Sequence, residues 1–339
     1  MNRPYFIAEI SSNHCGSLKI AKKLIKIAKK NGADAVKLQT YNADSMTLNL
    51  NKKNLLIKKG MWKGERLWEL YDKAKTPFSW HKELFKYSKK LNIKCFSTPF
   101  DIEAVNFLEK LKCPFYKISS FEMNDYPLIK RVSETKKPII LSTGTSNLKE
   151  ITKTVNYLKS LKVKNFSIMY CVSNYPAKIE DFNLKNIKIL KKKFKCKVGL
   201  SDHSVDNTVS IAAASVGAEL FEKHICTKES KNSPDFKFSL LDNQILEYRK
   251  NIDNVFKLLK KNFFYRNNSE NLYKKFRRSI YCIKEIKKGE KFTTSNIKLL
   301  RPVQGLGPEF FYKILNRKSP QKIGFGVPIT NRIFKKINL

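Results

Sequence analysis

Residues 197–203 read KVGLSDH, and residues 220–226 read LFEKHIC. Each is a short β-prone run that reaches a charged residue and then a histidine. The chain has only 4 histidines in 339 residues, so two of them at matching places in neighbouring runs demand an explanation. Six similar runs precede them: YFIAEIS (5–11), AVKLQTY (35–41), IKCFSTP (93–99), FYKISS (115–120), PIILSTG (138–144) and FSIMYC (166–171). Several are almost continuously apolar, as strands buried on both faces of a parallel sheet are.

Helical patterns separate most of these runs. In LKIAKKLIKIAKKNG, Leu18, Ala21, Leu24, Ile25 and Ala28 recur at helical spacing, and Asn31-Gly32 supplies the stop. DIEAVNFLEKLK (101–112) opens on an Asp cap, NLKEITKTVNYLKSL (147–161) on an Asn cap, and the small residues of DNTVSIAAASVGA (206–218) suit a closely packed helix. DNQILEYRKNIDNVFKLLKKN closes the series. Eight strand–helix alternations favour an α/β fold of the (β/α)8 TIM barrel type over a doubly wound sheet.

Between the second and third runs, the segment from Asn42 to Phe85 exceeds an ordinary strand-to-helix loop and is expected to cover the substrate. The barrel is expected over 1–262, a polar linker over 263–276, and a compact β-rich domain over 277–339. That last segment has 15 basic and 3 acidic residues, a net of +12. On a long tether it could reach a neighbouring subunit's anionic site.

Barrel enzymes carry their chemistry at the C-terminal ends of the strands. Those positions supply Glu9 and Asn13-His14, Lys37 and Gln39, Ser97-Thr98, then Lys117, Ser119, Ser120 and Glu122. Ser142 to Thr145, Ser173-Asn174-Tyr175, Ser201-Asp202-His203 and Glu222-Lys223-His224 complete the ring. Two lysines among hydroxyls suit a phosphate and a carboxylate. Two histidines on consecutive strands can bind one divalent cation, with water and substrate completing the shell. Either histidine alone reads equally well as a hydrogen-bonded core residue.

The composition is that of a globular chain with a formal charge of +39. Such a charge raises a nucleic-acid reading. Against it, lysine greatly outnumbers arginine, fills helix faces, and is not interleaved with aromatics; an anionic small substrate accounts for the charge as well. No apolar run is long enough to span a bilayer, and the N-terminus does not read as a signal peptide. Seven irregularly spaced cysteines make no disulfide framework, so the cytoplasm is the expected compartment.

The motifs IAEISSNHCGSL, GADAVKLQTY, YKISSFE, PIILSTG, GLSDH and EKH followed by PDFKFSL resemble the sialic acid synthase family. RSIYCIKEIKKGEKFTTSNIKLLRPVQGLG resembles that family's C-terminal antifreeze-like (SAF, β-clip) domain, so the resemblance spans nearly the whole chain. LQTYNADSMTLN, LIKKGMWKGERLWELYDKAKTPFSWHKELF and FSTPFDIEAVNFLEKL resemble the pseudaminic acid branch more than the N-acetylneuraminate or legionaminate branches, which stay open as alternatives.

The resemblance implies a transferase that condenses phosphoenolpyruvate with an amino-sugar aldehyde and releases phosphate by C–O cleavage. On the pseudaminic acid branch the aldehyde is 2,4-diacetamido-2,4,6-trideoxy-L-altrose and the product a nine-carbon 2-keto acid. It implies that His203 and His224 bind a divalent cation, Mn2+ or Mg2+. Glu9, Lys37, Thr98, Lys117, Ser120, Ser142 and Ser201 would surround phosphoenolpyruvate and the metal-bound water. Gln39, Glu122, Tyr175, Glu222 and Asp235 would surround the sugar, with Lys37, Lys117, Glu122 and Glu222 nearest the chemistry. Arg301 matches an arginine lent to the other subunit's site, which implies a domain-swapped homodimer. Ser233 before Pro234-Asp235 departs from the family's usual glycine and touches the sugar loop.

Overall fold

The computed structural model describes residues 3–261 and 263–337. It divides into two compact units at Lys260 and Lys261. Residue 262, where the sequence placed the barrel's end, lies outside the described residues.

In the first unit, the eight runs become eight parallel strands closed into a barrel. They are β1 (Tyr5–Glu9), β2 (Ala35–Thr40), β3 (Lys94–Pro99), β4 (Tyr116–Ile118), β5 (Ile139–Ser142), β6 (Phe166–Cys171), β7 (Lys197–Asp202) and β8 (Leu220–His224). Closure is made by β1, which pairs with β2 on one side and β8 on the other. In that register Glu9 is the partner of both Lys37 and His224. The expected (β/α)8 fold is thus present, and its closure brings the first strand's carboxylate beside the last strand's histidine.

The helices follow from amphipathic spacing and caps. Leu18–Lys30 buries Ala21, Leu24, Ile25, Ile27 and Ala28 against the sheet, with Ser17 capping its start and Asn31 its end. Asp101 caps Ile102–Lys110 by accepting from the Ala104 amide at 2.6 Å, and Asn147 with Glu150 forms a capping box on Leu148–Ser160. Each such cap is worth about 1 kcal/mol. Gly199 is required for a different reason: a Cβ there would lie 2.3 Å from the Leu220 carbonyl oxygen, so β7 and β8 could not approach.

The long segment after β2 is only partly a cover. Its last residues open the barrel's own helix Phe78–Lys90, because Leu84 and His81 fall on a buried face. The rest carries Leu67–Ala74 and the side chain of Trp62, whose ring lies 5.6 Å from that of Tyr175. At the barrel's N-terminal end, Arg249 is buried and donates to the Pro4 carbonyl and to Asp34, each at 3.0 Å, and it also pairs with Asp253. This is a stability device on the face opposite the chemistry.

The second unit has its own core of Ile280, Cys282, Ile286, Phe292, Ile297, Leu306, Ile314, Ile323, Ile329 and Ile333. Its antiparallel pair is β9 (Ser279–Cys282) with β10 (Ile297–Leu300). The segment that read as a polar linker contains two short helical turns, Asn268–Asn271 and Leu272–Phe276. All seven cysteines are free. Among the described residues no helix is long and apolar enough to cross a membrane.

Candidate active site

The C-terminal mouth of the barrel is a polar cavity. It is lined by Lys37, Gln39, Thr98, Phe100, Lys117, Ser119, Ser120, Ser142, Cys171, Tyr175, Ser201, His203, Glu222 and His224. Most of the side chains expected from the sequence therefore meet in one place. Glu9 joins them beneath the cavity through its ion pair with Lys37.

Four buried charges dominate the electrostatics. Lys37 pairs with Glu9 and stands 3.7 Å from Oε1 of Glu222; Lys117 donates to that same oxygen at 2.5 Å. Ser201 donates to it as well, at 3.2 Å, and Lys37 donates to Thr98 at 3.3 Å. Burial would raise the Glu222 carboxyl, but Lys117 and Lys37 hold it down at about 2. Burial likewise disfavours the Lys37 ammonium, and Glu222 and Glu9 outweigh it, so its pKa rises. For Lys117 burial wins, helped by the charge of Lys37, and its pKa falls. Within the mouth the two lysines are neutralised by two carboxylates, which a substrate anion could replace.

The hydroxyls crowd the glycine of STGT. Ser120 accepts from the Gly144 amide at 3.1 Å, and a Cβ on Gly144 would meet Oγ of Ser173 at 2.1 Å and of Ser120 at 2.7 Å. Only glycine lets the loops after β4, β5 and β6 close together. Ser142 points a buried, unpartnered hydroxyl from the same rim.

His203 and His224 have ring centroids 5.5 Å apart. Nδ1 of His203 donates to the Val172 carbonyl at 2.9 Å, which leaves Nε2 with a free lone pair. Nδ1 of His224 faces Oδ2 of Asp235 at 3.6 Å. An outer carbonyl or carboxylate on one ring nitrogen is how metal-binding histidines are held. Among the described residues no group of three or more His, Cys, Asp or Glu could by itself hold a metal. The donors fit a divalent cation bound by two imidazoles, with oxygens from water and substrate completing its shell.

Three expected residues are placed elsewhere. Asp235 lies buried behind His224, accepting from Oγ of Ser12 at 2.8 Å. Its carboxyl stays at about 2, because His224, Ser12 and Ser11 outweigh its burial. Glu122 sits beyond β4 near Ser119 and Tyr71, with one buried oxygen unpartnered and its carboxyl pushed up to about 7 by burial. Arg301 is exposed on the second unit, just past β10.

Three residues of the site escaped the sequence reading: Phe100, which lines the cavity, Phe238 and Cys171. Phe238 is buried with its ring 5.0 Å from His224, 5.9 Å from His203 and 5.4 Å from Tyr175, an apolar wedge against both imidazoles. Its only signal was an aromatic in PDFKFSL. Cys171, on β6, has its Sγ 3.8 Å from Nδ1 of His203. Burial would raise that thiol, yet His203 and Lys117 bring it down to about 7.

Residues 24–263 match the NeuB family. The chain belongs to the NeuB family. Over 337 residues it is 42% identical to the pseudaminic acid synthase of Campylobacter jejuni, covering 95% of this chain and 94% of that one. It is 40% identical to the pseudaminic acid synthase of Helicobacter pylori, over 96% of each chain. Among solved structures, the N-acetylneuraminic acid (sialic acid) synthetase of Leptospira borgpetersenii superposes with a TM-score of 0.72 at 29% identity, covering 80% of this chain and 90% of that one.

Proposed function

We propose that this chain is a pseudaminic acid synthase, joining phosphoenolpyruvate to a 2,4-diacetamido-2,4,6-trideoxy hexose aldehyde and releasing phosphate. The observation that carries the reading is the 42% identity over nearly the full length of such an enzyme. The polar mouth supports it by supplying groups of the right charge in the right number.

In this mechanism Lys37 and Lys117 bind the phosphate and carboxylate of phosphoenolpyruvate, displacing the Glu9 and Glu222 carboxylates that pair with them. Thr98, Ser120, Ser142 and Ser201 donate to the same anion and hold its enol in line. Gln39, Tyr175 and Glu122 hold the sugar so that its aldehyde faces the enol's methylene carbon. His203 and His224 would hold Mn2+ or Mg2+ through Nε2, and that ion, when bound, polarises the aldehyde as a Lewis acid. The methylene carbon attacks C1 of the sugar, and C2 of phosphoenolpyruvate gains oxocarbenium character. Water adds at C2, its proton passing through Glu222 to the alkoxide formed at the sugar's C1, and the tetrahedral adduct expels phosphate by C–O cleavage, its hydroxyl proton leaving with the phosphate as the C2 ketone forms.

Residues 277–339 are read as the antifreeze-like domain, lending Arg301 to the sugar site of a second copy in a domain-swapped dimer. The preceding segment supports this: Phe264 is 85% exposed and Tyr273 67%, apolar surface that a second chain would cover. Seven free cysteines suit a reducing compartment, and we place the protein in the cytoplasm.

The test is phosphate release from phosphoenolpyruvate against a panel of 2-acetamido and 2,4-diacetamido hexoses. Fastest turnover with the L-altro sugar supports the reading. Preference for an N-acetylmannosamine or a D-manno diacetamido sugar would assign an N-acetylneuraminate or legionaminate synthase instead. Salt-sensitive binding to generic DNA with no phosphate release would return the basic charge to a nucleic-acid role.

A further inference from the structure

The mechanism above leaves one buried ion pair unused. Asp202 and Lys223 are both 0% exposed, and Oδ2 of Asp202 lies 3.2 Å from Nζ of Lys223. They are direct register partners on β7 and β8. Side chains alternate across a strand, and Ser201, His203, Glu222 and His224 face the mouth. Asp202 and Lys223 therefore stand on the outer surface of the barrel, one position from the metal-binding histidines on each strand.

The pair also grips the chain on the far side of His203. Oδ1 of Asp202 accepts from the Ser204 amide at 2.8 Å and from its hydroxyl at 2.6 Å, while Lys223 donates to the Ser204 carbonyl. His203 is thus held between two residues tied to a single ammonium on the strand that carries His224. Burial pushes the Lys223 pKa down, with Asp202 opposing. Two apolar residues of the same size would stabilise such a place as well or better, because desolvating both charges offsets their attraction. What charges add is direction: they fix where the backbone on either side of His203 runs relative to β8.

We propose that Asp202 and Lys223 are positioning residues that set the spacing of His203 and His224 and so the affinity for the divalent cation. The proposal rests on the reading of those histidines as metal ligands. It assigns the ion pair to metal affinity rather than to stability.

The experiment uses the full chain with phosphoenolpyruvate present, measuring Mn2+ binding from the loss of the free-ion EPR signal. Lys223→Met alone leaves a buried carboxylate unpaired and can unfold the barrel, so the decisive variant is Asp202→Asn with Lys223→Met. The expected result is an unfolding temperature in EDTA equal to or above that of the natural chain, with Mn2+ affinity about tenfold lower or weaker still. Unchanged Mn2+ affinity overturns the proposal. So does a loss of Mn2+ affinity that comes only with a matching fall in the unfolding temperature, which would make the pair structural. His224→Ala separates the underlying reading: if it binds Mn2+ as the natural chain does, the histidines are not ligands and that reading fails on its own account.

Discussion

Lys117 and Glu222 form a buried ion pair with 2.5 Å between nitrogen and oxygen, and Glu222 shares that oxygen with Lys37 at 3.7 Å. A carboxylate between two buried ammonium groups both cancels their charge and competes with any incoming anion. Replacing Glu222 with Gln removes the competition and also a group that can take a proton. Phosphoenolpyruvate should then bind with a KM equal to or below the natural value, while kcat falls by about 10²- to 10³-fold. Steady-state phosphate release decides it, and an unchanged kcat would remove Glu222 from the chemistry.

Glu122 gives a pH signature. Its carboxyl is pushed up to about 7 by burial, so the folded chain binds its proton more tightly than the unfolded chain does. Ionising it costs stability; the cost grows through the range between the ordinary carboxylate value and 7, and is fully present above 7. Glu122→Gln should therefore stabilise the protein at pH 8 by about 1–3 kcal/mol and change little at pH 4. Chemical denaturation at both pH values measures this, and an equal change at both would contradict it.

His224→Ala removes one of the two imidazoles that face the cavity. Turnover stimulated by Mn2+ or Mg2+ should drop to background, about 10³-fold or more, while circular dichroism and the unfolding transition stay those of a folded barrel. Full metal-stimulated activity in this variant is the result that the metal reading could not survive.

Arg301→Ala tests the swapped-domain reading without touching the barrel. The sugar KM should rise about tenfold or more, with the phosphoenolpyruvate KM and the particle mass in solution unchanged. Equal effects on both substrates would place Arg301 outside the sugar site.

Arg249→Ala is the contrasting case, because it breaks a buried network at the opposite end of the barrel. Losing it leaves Asp34 and Asp253 with only the more exposed Arg3 as a cationic partner and takes the guanidinium donor from the Pro4 carbonyl. Stability should fall by about 2–4 kcal/mol, less than for a fully enclosed pair because both carboxylates are partly exposed. The KM values of the remaining folded enzyme should not move.

The barrel was legible because strand runs and helical spacing repeat eight times, and because caps such as Asp101 and Asn147 mark where helices begin. The ring of polar strand ends was legible for the same reason: alternation puts Ser201 and His203, or Glu222 and His224, on one face. Contacts between loops were not legible. Nothing in PDFKFSL says that Phe238 will wedge against two histidines, since that depends on how the loop after β8 folds back. Asp235 is expected from the resemblance beside the sugar, yet Ser12 from the loop after β1 draws it behind His224. The segment after β2 reads as cover throughout because its periodicity is weak, yet its last residues open the helix Phe78–Lys90.

The scarcity of histidine has a practical consequence. Burial holds His14 and His81 neutral down to about pH 4, where each is also tied by hydrogen bonds to Thr76 and Thr40. In neutral solution these two imidazoles are spectroscopically silent to acid. A ring resonance that moves with acid near neutrality is then neither His14 nor His81. The protein carries its own internal baseline for an acid titration, readable without any label.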